Sequence, residues 1–345
     1  MKVGIVGATG YAGQELVRLI IQHPQAELAW VTSNTYKGER FDKCYGSFKN
    51  IYEENCIEQK IDELSNDVDV IFLATPHGLS SSLVNDVLLK KVIIIDLSAD
   101  FRLKDALDYK EWYGENHPNT SLLKEAVYGL CEINRDQIKG KRLIANPGCY
   151  PTASTLGLYP LLKEKLIDTK SIIIDAKSGV SGAGRSPKLA THFDEVNEST
   201  KAYSVGVHRH TAEIEEQLGY ASNDKAFINF TPHLIPMHRG ILATAYANLN
   251  DNYDYDTIKG IYNKYYANEK FVRLLDENVY PETRWVKGSN YCDINFKIDK
   301  RTNRIIIVSA IDNLIKGAAG QAVQNMNILY NLDEDTGLNQ VPVFM

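Results

Sequence analysis

The sequence predicts an α/β chain in two parts: a doubly wound parallel sheet over residues 1–148, then an α+β domain with a mixed, largely antiparallel sheet over 149–316. Three observations carry this. A glycine-punctuated turn at the very start separates a short apolar strand from an amphipathic helix. Apolar runs then alternate with helical patterns up to about residue 148, which is the signature of parallel strands with crossover helices. Beyond residue 170 the apolar runs follow one another with few helices between them, as in an antiparallel arrangement. The last segment, 317–345, begins with small residues (Lys316-Gly-Ala-Ala-Gly-Gln321) and is expected to be a helix that packs back on the first domain.

In chain order, Lys2 to Val6 is the first strand. Gly7-Ala-Thr9-Gly10-Tyr11-Ala-Gly13 follows, and Leu16, Leu19 and Ile20 mark a helix running to His23-Pro24. Between strand and helix, this GxxGxxG pattern reads as a dinucleotide fingerprint of the Rossmann type. Glycines let the backbone approach a pyrophosphate, whose charge faces the helix N-terminus. Leu28 to Val31, Val68 to Ala74, Val92 to Asp96 and Arg142 to Ala145 are the further parallel strands. The glycine motif, Thr75-Pro-His77-Gly78, Ser98-Ala-Asp-Phe-Arg102 and Cys149 all fall at carboxyl ends of strands, where ligands of such sheets bind. His77 is equally readable as a ligand contact or a polar turn residue. After the second strand comes Thr32-Ser33-Asn34, with no carboxylate to grip ribose hydroxyls; these groups, with Lys37 or Arg40 nearby, suit a 2′-phosphate and predict NADP(H) over NAD(H).

Asn146-Pro-Gly-Cys149-Tyr-Pro-Thr152 reads as strand end, tight turn and helix start, placing Cys149 at about the N-cap. There the unpaired amides and the helix dipole favour thiolate and can hold an oxyanion, so Cys149 is the candidate nucleophile; the alternative is a structural thiol. Ser171 to Ala176 is a strand leading into Ser178-Gly179-Val-Ser-Gly182-Ala-Gly-Arg185, a loop open enough to line a flat ring or a phosphate. Phe227 to Phe230, Ile241 to Leu249, Tyr291 to Ile298 and Arg304 to Ile311 are the remaining strands. His208 and His210 are candidates for proton transfer at neutral pH. Arg102, Arg185, Arg209 and Arg239 are candidates for carboxylate or phosphate recognition through the guanidinium fork.

With 345 residues, 44% of them hydrophobic, the chain can bury two cores. A net charge of −6 argues against nucleic acid as the main partner. Five dispersed cysteines without CxxC pairs suggest neither a disulfide framework nor a metal site, and none is expected. The opening Met-Lys-Val-Gly-Ile-Val-Gly reads as a strand rather than a secretory leader, and no apolar run approaches about 18 residues; a reducing cytoplasm is the expected location.

Gly7 to Gly13, Leu97 to Arg102, Ala126-Val-Tyr-Gly-Leu130, Asn146 to Thr152, Ser178 to Gly184, His208-Arg-His-Thr-Ala-Glu-Ile214, His233 to Gly240 and Gly288-Ser-Asn290 together resemble N-acetyl-gamma-glutamyl-phosphate reductases of arginine biosynthesis. Ala212 departs from the proline often found there. The resemblance implies NADPH-dependent reduction of an acyl phosphate to a semialdehyde through a Cys149 thioester, with His210 as acid/base and His208 its rival. It implies cofactor contacts from Gly7, Thr9, Gly10, Tyr11, Gly13, Ser33, Thr75, Ser178, Gly179, Gly182 and Asn313, and substrate contacts from Arg102, Asn146, Arg209 and Arg239. It also implies a homodimer or homotetramer acting on a small molecule. The competing readings are a relative acting on aspartyl phosphate or an aminoadipyl derivative, a Cys/His acyltransferase or hydrolase without hydride transfer, and a non-enzymatic nucleotide sensor.

Overall fold

The computed structural model describes residues 1–343 and divides into two compact units. The first comprises residues 1–110, 114–147 and 318–339; the second comprises 111–113, 148–317 and the chain from 340. Among the described residues no helix is long and apolar enough to cross a membrane.

The first unit is built on a seven-stranded parallel sheet: β1 (Lys2–Val6), β2 (Glu27–Thr32), β3 (Cys56–Ile57), β4 (Val70–Leu73), β5 (Ile93–Asp96), β6 (Val127–Tyr128) and β7 (Leu143–Ala145), in the order β3-β2-β1-β4-β5-β7-β6. Every residue of β4 and β5 is buried, as expected for strands covered on both faces. The order reverses between β1 and β4, so the carboxyl ends of these two strands define the switch point at which such sheets bind ligands. The edge strands β3 and β6 escape sequence reading because two residues carry no periodicity. The helix Gly320–Leu329 belongs to this unit, where Gln321 and Asn325 donate to the Gly129 carbonyl at 2.9 and 2.8 Å. It is shorter than the helix expected over 317–345: it ends at Leu329, and Asn331 follows with a left-handed φ of 52°. Phe344 and Met345, the end of that expected helix, lie outside the described residues.

The second unit has a mixed seven-stranded sheet: β8 (Ile172–Ser178), β9 (Lys201–Ala202), β10 (Ile228–Leu234), β11 (Ile241–Asn248), β12 (Val272–Leu274), β13 (Cys292–Asp299) and β14 (Arg304–Ile311). Its order is β12-β13-β14-β11-β8-β10-β9. The β12–β13 and β8–β10 pairs are parallel and the others antiparallel. Period-2 alternation assigns its faces. Ile307 and Ser309 point to the helix Cys149–Lys163, where the Ser309 hydroxyl donates to the Ala153 carbonyl at 2.8 Å. The opposite face carries Leu242, Thr244 and Tyr246 of β11 and Ile306 and Val308 of β14, all partly exposed, beside Ile173 of β8 at 39% exposure.

Candidate functional site

In the first unit, Gly7 turns the chain after β1 with φ +78°, and a Cβ there would stand 2.4 Å from the Ala74 carbonyl oxygen at the end of β4. A Cβ at Gly13 would meet the Gly7 oxygen at 2.3 Å. Only glycine lets the loop fold this tightly. The helix Tyr11–Ile21 starts from Gly10 with no side-chain cap and no acidic residue in its first turn, which leaves its leading amides available to an anion. Thr9 and Ser33 join hydroxyls at 2.7 Å, Ser33 also accepts the Tyr36 amide at 3.1 Å, and the Tyr45 hydroxyl donates to the Thr9 carbonyl at 2.9 Å. The residues therefore fit a dinucleotide: a cradle that any side chain would fill, an uncapped helix start, and no carboxylate at the end of β2. Lys37 and Arg40, expected to add positive charge, are paired with Glu58 at 2.8 Å and with Asp42 and Glu53 at 2.8 and 2.7 Å.

At the neighbouring strand ends Thr75 and Ser80 share a hydrogen bond of 2.7 Å, and Ser80 donates to buried Asp96 at 2.6 Å. Burial pushes the Asp96 carboxyl up to about 6. His77 lies 2.7 Å from Asp100 and 3.2 Å from Glu115, so the ring pins its own turn. Arg102 is buried, and its guanidinium donates to the Asn146 and Leu97 carbonyls at 2.9 and 2.8 Å. The Asn146 side chain, fully buried, donates to the Ala318 carbonyl at 3.1 Å and accepts from Asn325 at 3.2 Å. Both residues were expected to contact substrate; these hydrogen bonds also tie the chain just after β5 to the chain just after β7.

In the second unit Cys149 is the first residue of the helix Cys149–Lys163, one position inside the expected N-cap, which is Gly148. Its neighbours explain the start: Gly148 is extended (φ −71°, ψ 159°), and Thr152 returns its amide and its hydroxyl to the Gly148 carbonyl at 3.0 and 2.9 Å. The Gly148 amide donates to Glu213 Oε1 at 2.8 Å. Glu213 is fully buried, and its other oxygen lies 4.0 Å from His210 Nε2. A single carboxylate thus joins the turn that carries Cys149 to the histidine that opens the helix His210–Ser222. Glu213 was not singled out from the sequence, although its i,i+3 spacing from His210 on a predicted helix was a usable signal.

His208 accepts the His210 amide on Nδ1 at 3.1 Å and packs edge-on against Tyr150, Tyr203 and Phe230, with ring centroids 5.4 to 5.7 Å away. Burial, with the adjacent Arg209 charge, pulls it down to about 4, so it is uncharged at neutral pH. Tyr150 and Tyr203 share a hydrogen bond of 3.1 Å, and burial pushes the Tyr203 phenol up to about 12. Arg209 is exposed, its guanidinium carbon 5.4 Å from the Tyr113 ring centre.

The glycine-rich loop after β8 lies along the segment 237–240: the Gly179, Val180 and Ser181 amides donate to the Gly240, Met237 and His238 carbonyls at 2.9, 3.0 and 3.2 Å. A Cβ at Gly179 would be 2.7 Å from the His238 oxygen. Asn313 holds both segments, accepting the Gly240 amide at 2.7 Å and donating to the Ser181 hydroxyl at 3.0 Å. Ser178 is buried and donates to the Gly179 carbonyl at 3.0 Å. Gly182 stays exposed. Arg239 reaches Asp312 at 3.6 Å.

These two units correspond to two family descriptions. Residues 2–141 match the semialdehyde dehydrogenase NAD binding domain, and residues 149–313 match the semialdehyde dehydrogenase dimerisation domain. Solved structures share the fold: aspartate semialdehyde dehydrogenase II from Vibrio cholerae superposes with a TM-score of 0.72 over 96% of this chain and 98% of its own, at 17% identity. The Candida albicans aspartate semialdehyde dehydrogenase gives 0.70 over 95% and 98%, at 16% identity. The class is that of an oxidoreductase with an NAD binding domain and a dimerisation domain of the semialdehyde dehydrogenase type. Curated relatives narrow it. N-acetyl-gamma-glutamyl-phosphate reductase of Lachnospira eligens is 58% identical over 100% of this chain and 99% of its own, and that of Lachnoclostridium phytofermentans 56% over the same shares. The Campylobacter jejuni protein of that name is 57% identical over 98% of each chain. The chain belongs to the N-acetyl-gamma-glutamyl-phosphate reductase family.

Proposed function

We propose that this enzyme reduces N-acetyl-glutamyl 5-phosphate to N-acetyl-glutamate 5-semialdehyde, releasing phosphate, with Cys149 as the acyl carrier. The observation that carries the mechanism is the Glu213 link: one buried carboxylate accepts the Gly148 amide at 2.8 Å and faces His210 at 4.0 Å. In the forward direction the Cys149 sulfur, having given its proton to His210, attacks the acyl carbon. The leading amides of its helix stabilise the tetrahedral oxyanion, which collapses by expelling phosphate and leaves a thioester. When bound to the glycine cradle of the first unit, NADPH supplies the hydride that reduces the acyl carbon. The second oxyanion rests on the same amides, and its collapse releases the aldehyde and returns the sulfur as thiolate. His210 is the acid/base because its ring faces a carboxylate that would stabilise the imidazolium formed on taking the Cys149 proton, whereas burial and the adjacent Arg209 charge disfavour that charged form at His208, which serves to position its neighbour. Arg209 and Arg239, with Arg102 and Asn146, are the substrate contacts in this reading.

NADP(H) is the cofactor this reading favours, because the end of β2 offers Thr32, Ser33 and Asn34 and no carboxylate. The exposed Lys37–Glu58 pair is weak enough to exchange partners with a phosphate. The partly apolar open face of the second sheet suits a second copy of the chain, giving a homodimer or homotetramer, and a biosynthetic role of this kind fits the cytoplasm. The test is NADPH oxidation with N-acetyl-glutamyl phosphate and, separately, aspartyl phosphate, for the parent and Cys149→Ser, with mass analysis of quenched enzyme. Expected are turnover of the N-acetyl-glutamyl substrate, an acyl adduct on Cys149, and no turnover by the serine variant. Appreciable reductase activity in Cys149→Ser rules out the thioester route, and a preference for aspartyl phosphate rules out the substrate.

A further inference from the structure

Just before the C-terminal helix the chain makes one π-type turn, Ile315–Ala319, closed by the Gly317 amide donating to the Asp312 carbonyl five residues back at 3.0 Å. Such wide turns are rare and recur at functional sites. Here the turn is held by Asp312, which is fully buried: one oxygen accepts the Leu314 and Ile315 amides at 2.8 and 3.1 Å, and the other accepts the Gly288 amide at 2.8 Å. The turn brings Gly317 against Cys149. A Cβ built on Gly317 would stand 2.7 Å from Cys149 Cβ, 3.0 Å from Cys149 Cα and 3.2 Å from Ile311 Cδ1. Gly317 does not have a positive φ, so its backbone conformation does not require glycine; the space does.

We infer that Gly317 is a positioning residue for Cys149: its bare Cα, delivered by the π-type turn, is the backstop that sets the cysteine at the helix N-terminus. The inference deepens the reading of Cys149 as nucleophile and rests on it. An alanine at 317 has no flexible end to yield, since two of the three contacts are with the Cα and Cβ of Cys149 itself. The cysteine must shift, and displacement of a reacting atom by about 1 Å costs about 10²-fold in rate. Moving the sulfur off the helix amides also weakens thiolate stabilisation.

The test compares Gly317→Ala, Gly317→Ala/Ile311→Val and, as a control, Gly260→Ala, whose added Cβ meets nothing within 4 Å. Three quantities are read: kcat, KM for NADPH, and the pH dependence of Cys149 alkylation by iodoacetamide. Gly317→Ala is expected to lower kcat about 10²-fold, to leave KM for NADPH within about threefold, and to move the alkylation midpoint to higher pH. The double variant relieves Ile311 but not Cys149, so it should regain thermal stability and stay slow. If Gly317→Ala does not fold, the double variant carries the same comparison. A folded variant of either kind with kcat within threefold of the parent, or an unchanged alkylation profile, overturns the inference. Alkylation needs no turnover, so it still reports on Gly317 if Cys149→Ser should prove active and the thioester reading fall.

Discussion

Glu213→Gln is the substitution that most directly tests how the catalytic turn is organised. Glutamine keeps the shape and retains an oxygen for the Gly148 amide, now 2.8 Å from Glu213 Oε1, so the helix start is preserved. What it removes is the negative charge 4.0 Å from His210 Nε2. At that separation a unit charge pair is worth about 4 kcal/mol at an effective dielectric of about 20, and partial exposure of the imidazole reduces this to roughly 2–4 kcal/mol. If the pair exists chiefly while His210 holds the proton taken from Cys149, the loss appears in the chemical step as a roughly 30- to 10³-fold fall in kcat. KM for NADPH should stay near the parental value. Glu213→Ala should be worse for stability as well, because it strands the buried Gly148 amide at about 1–3 kcal/mol. Steady-state kinetics with a parallel thermal melt decides: a Glu213→Gln enzyme that melts normally and keeps kcat within threefold would refute a carboxylate-assisted histidine.

Three further outcomes are expected. His210→Asn should lower kcat by roughly 10²- to 10⁴-fold, the usual range for a lost acid/base, and His208→Asn by less; the reverse order in purified enzymes would exchange their roles. His208 binds its proton more weakly folded than unfolded, so between about 6.5 and about 4 the unfolded chain holds more protons; stability is full above about 6.5 and falls as pH drops through that window. His208→Asn should flatten that part of a denaturation-midpoint curve measured against pH, and an unaltered slope would show that another group is responsible. Finally, kcat/KM should favour NADPH over NADH, and Ser33→Asp should erode the preference by placing a carboxylate where a 2′-phosphate would sit; an equal or better NADH value in the parent would refute the argument from β2.

Features that depend on contiguous residues were legible in the sequence. The fingerprint Gly7 to Gly13, the helix start at Cys149 and the strands β1, β8 and β14 are each encoded within a few residues, by glycine steric freedom, by turn chemistry or by apolar periodicity, all of which act locally. Cys149 fell one residue inside its predicted cap, within the ordinary uncertainty of a helix boundary. The tertiary structure decided which polar groups meet. Resemblance marks Arg102 and Asn146 as substrate contacts, and their hydrogen bonds to Leu97, Ala318 and Asn325, which reach chain segments up to 179 residues apart, could not be read from the sequence. Asn313 likewise bridges Ser181 and Gly240, 132 and 73 residues distant. Glu213 and Gly317 gain their meaning from the Cys149 turn, from which they are separated along the chain by 65 residues (Gly148 to Glu213) and 168 residues (Cys149 to Gly317). Local steric and periodic rules specify where an element starts and which face it buries; they are silent on which distant carboxylate satisfies a turn amide, or which Cα leaves room for a sulfur, because those are fixed only when the elements pack.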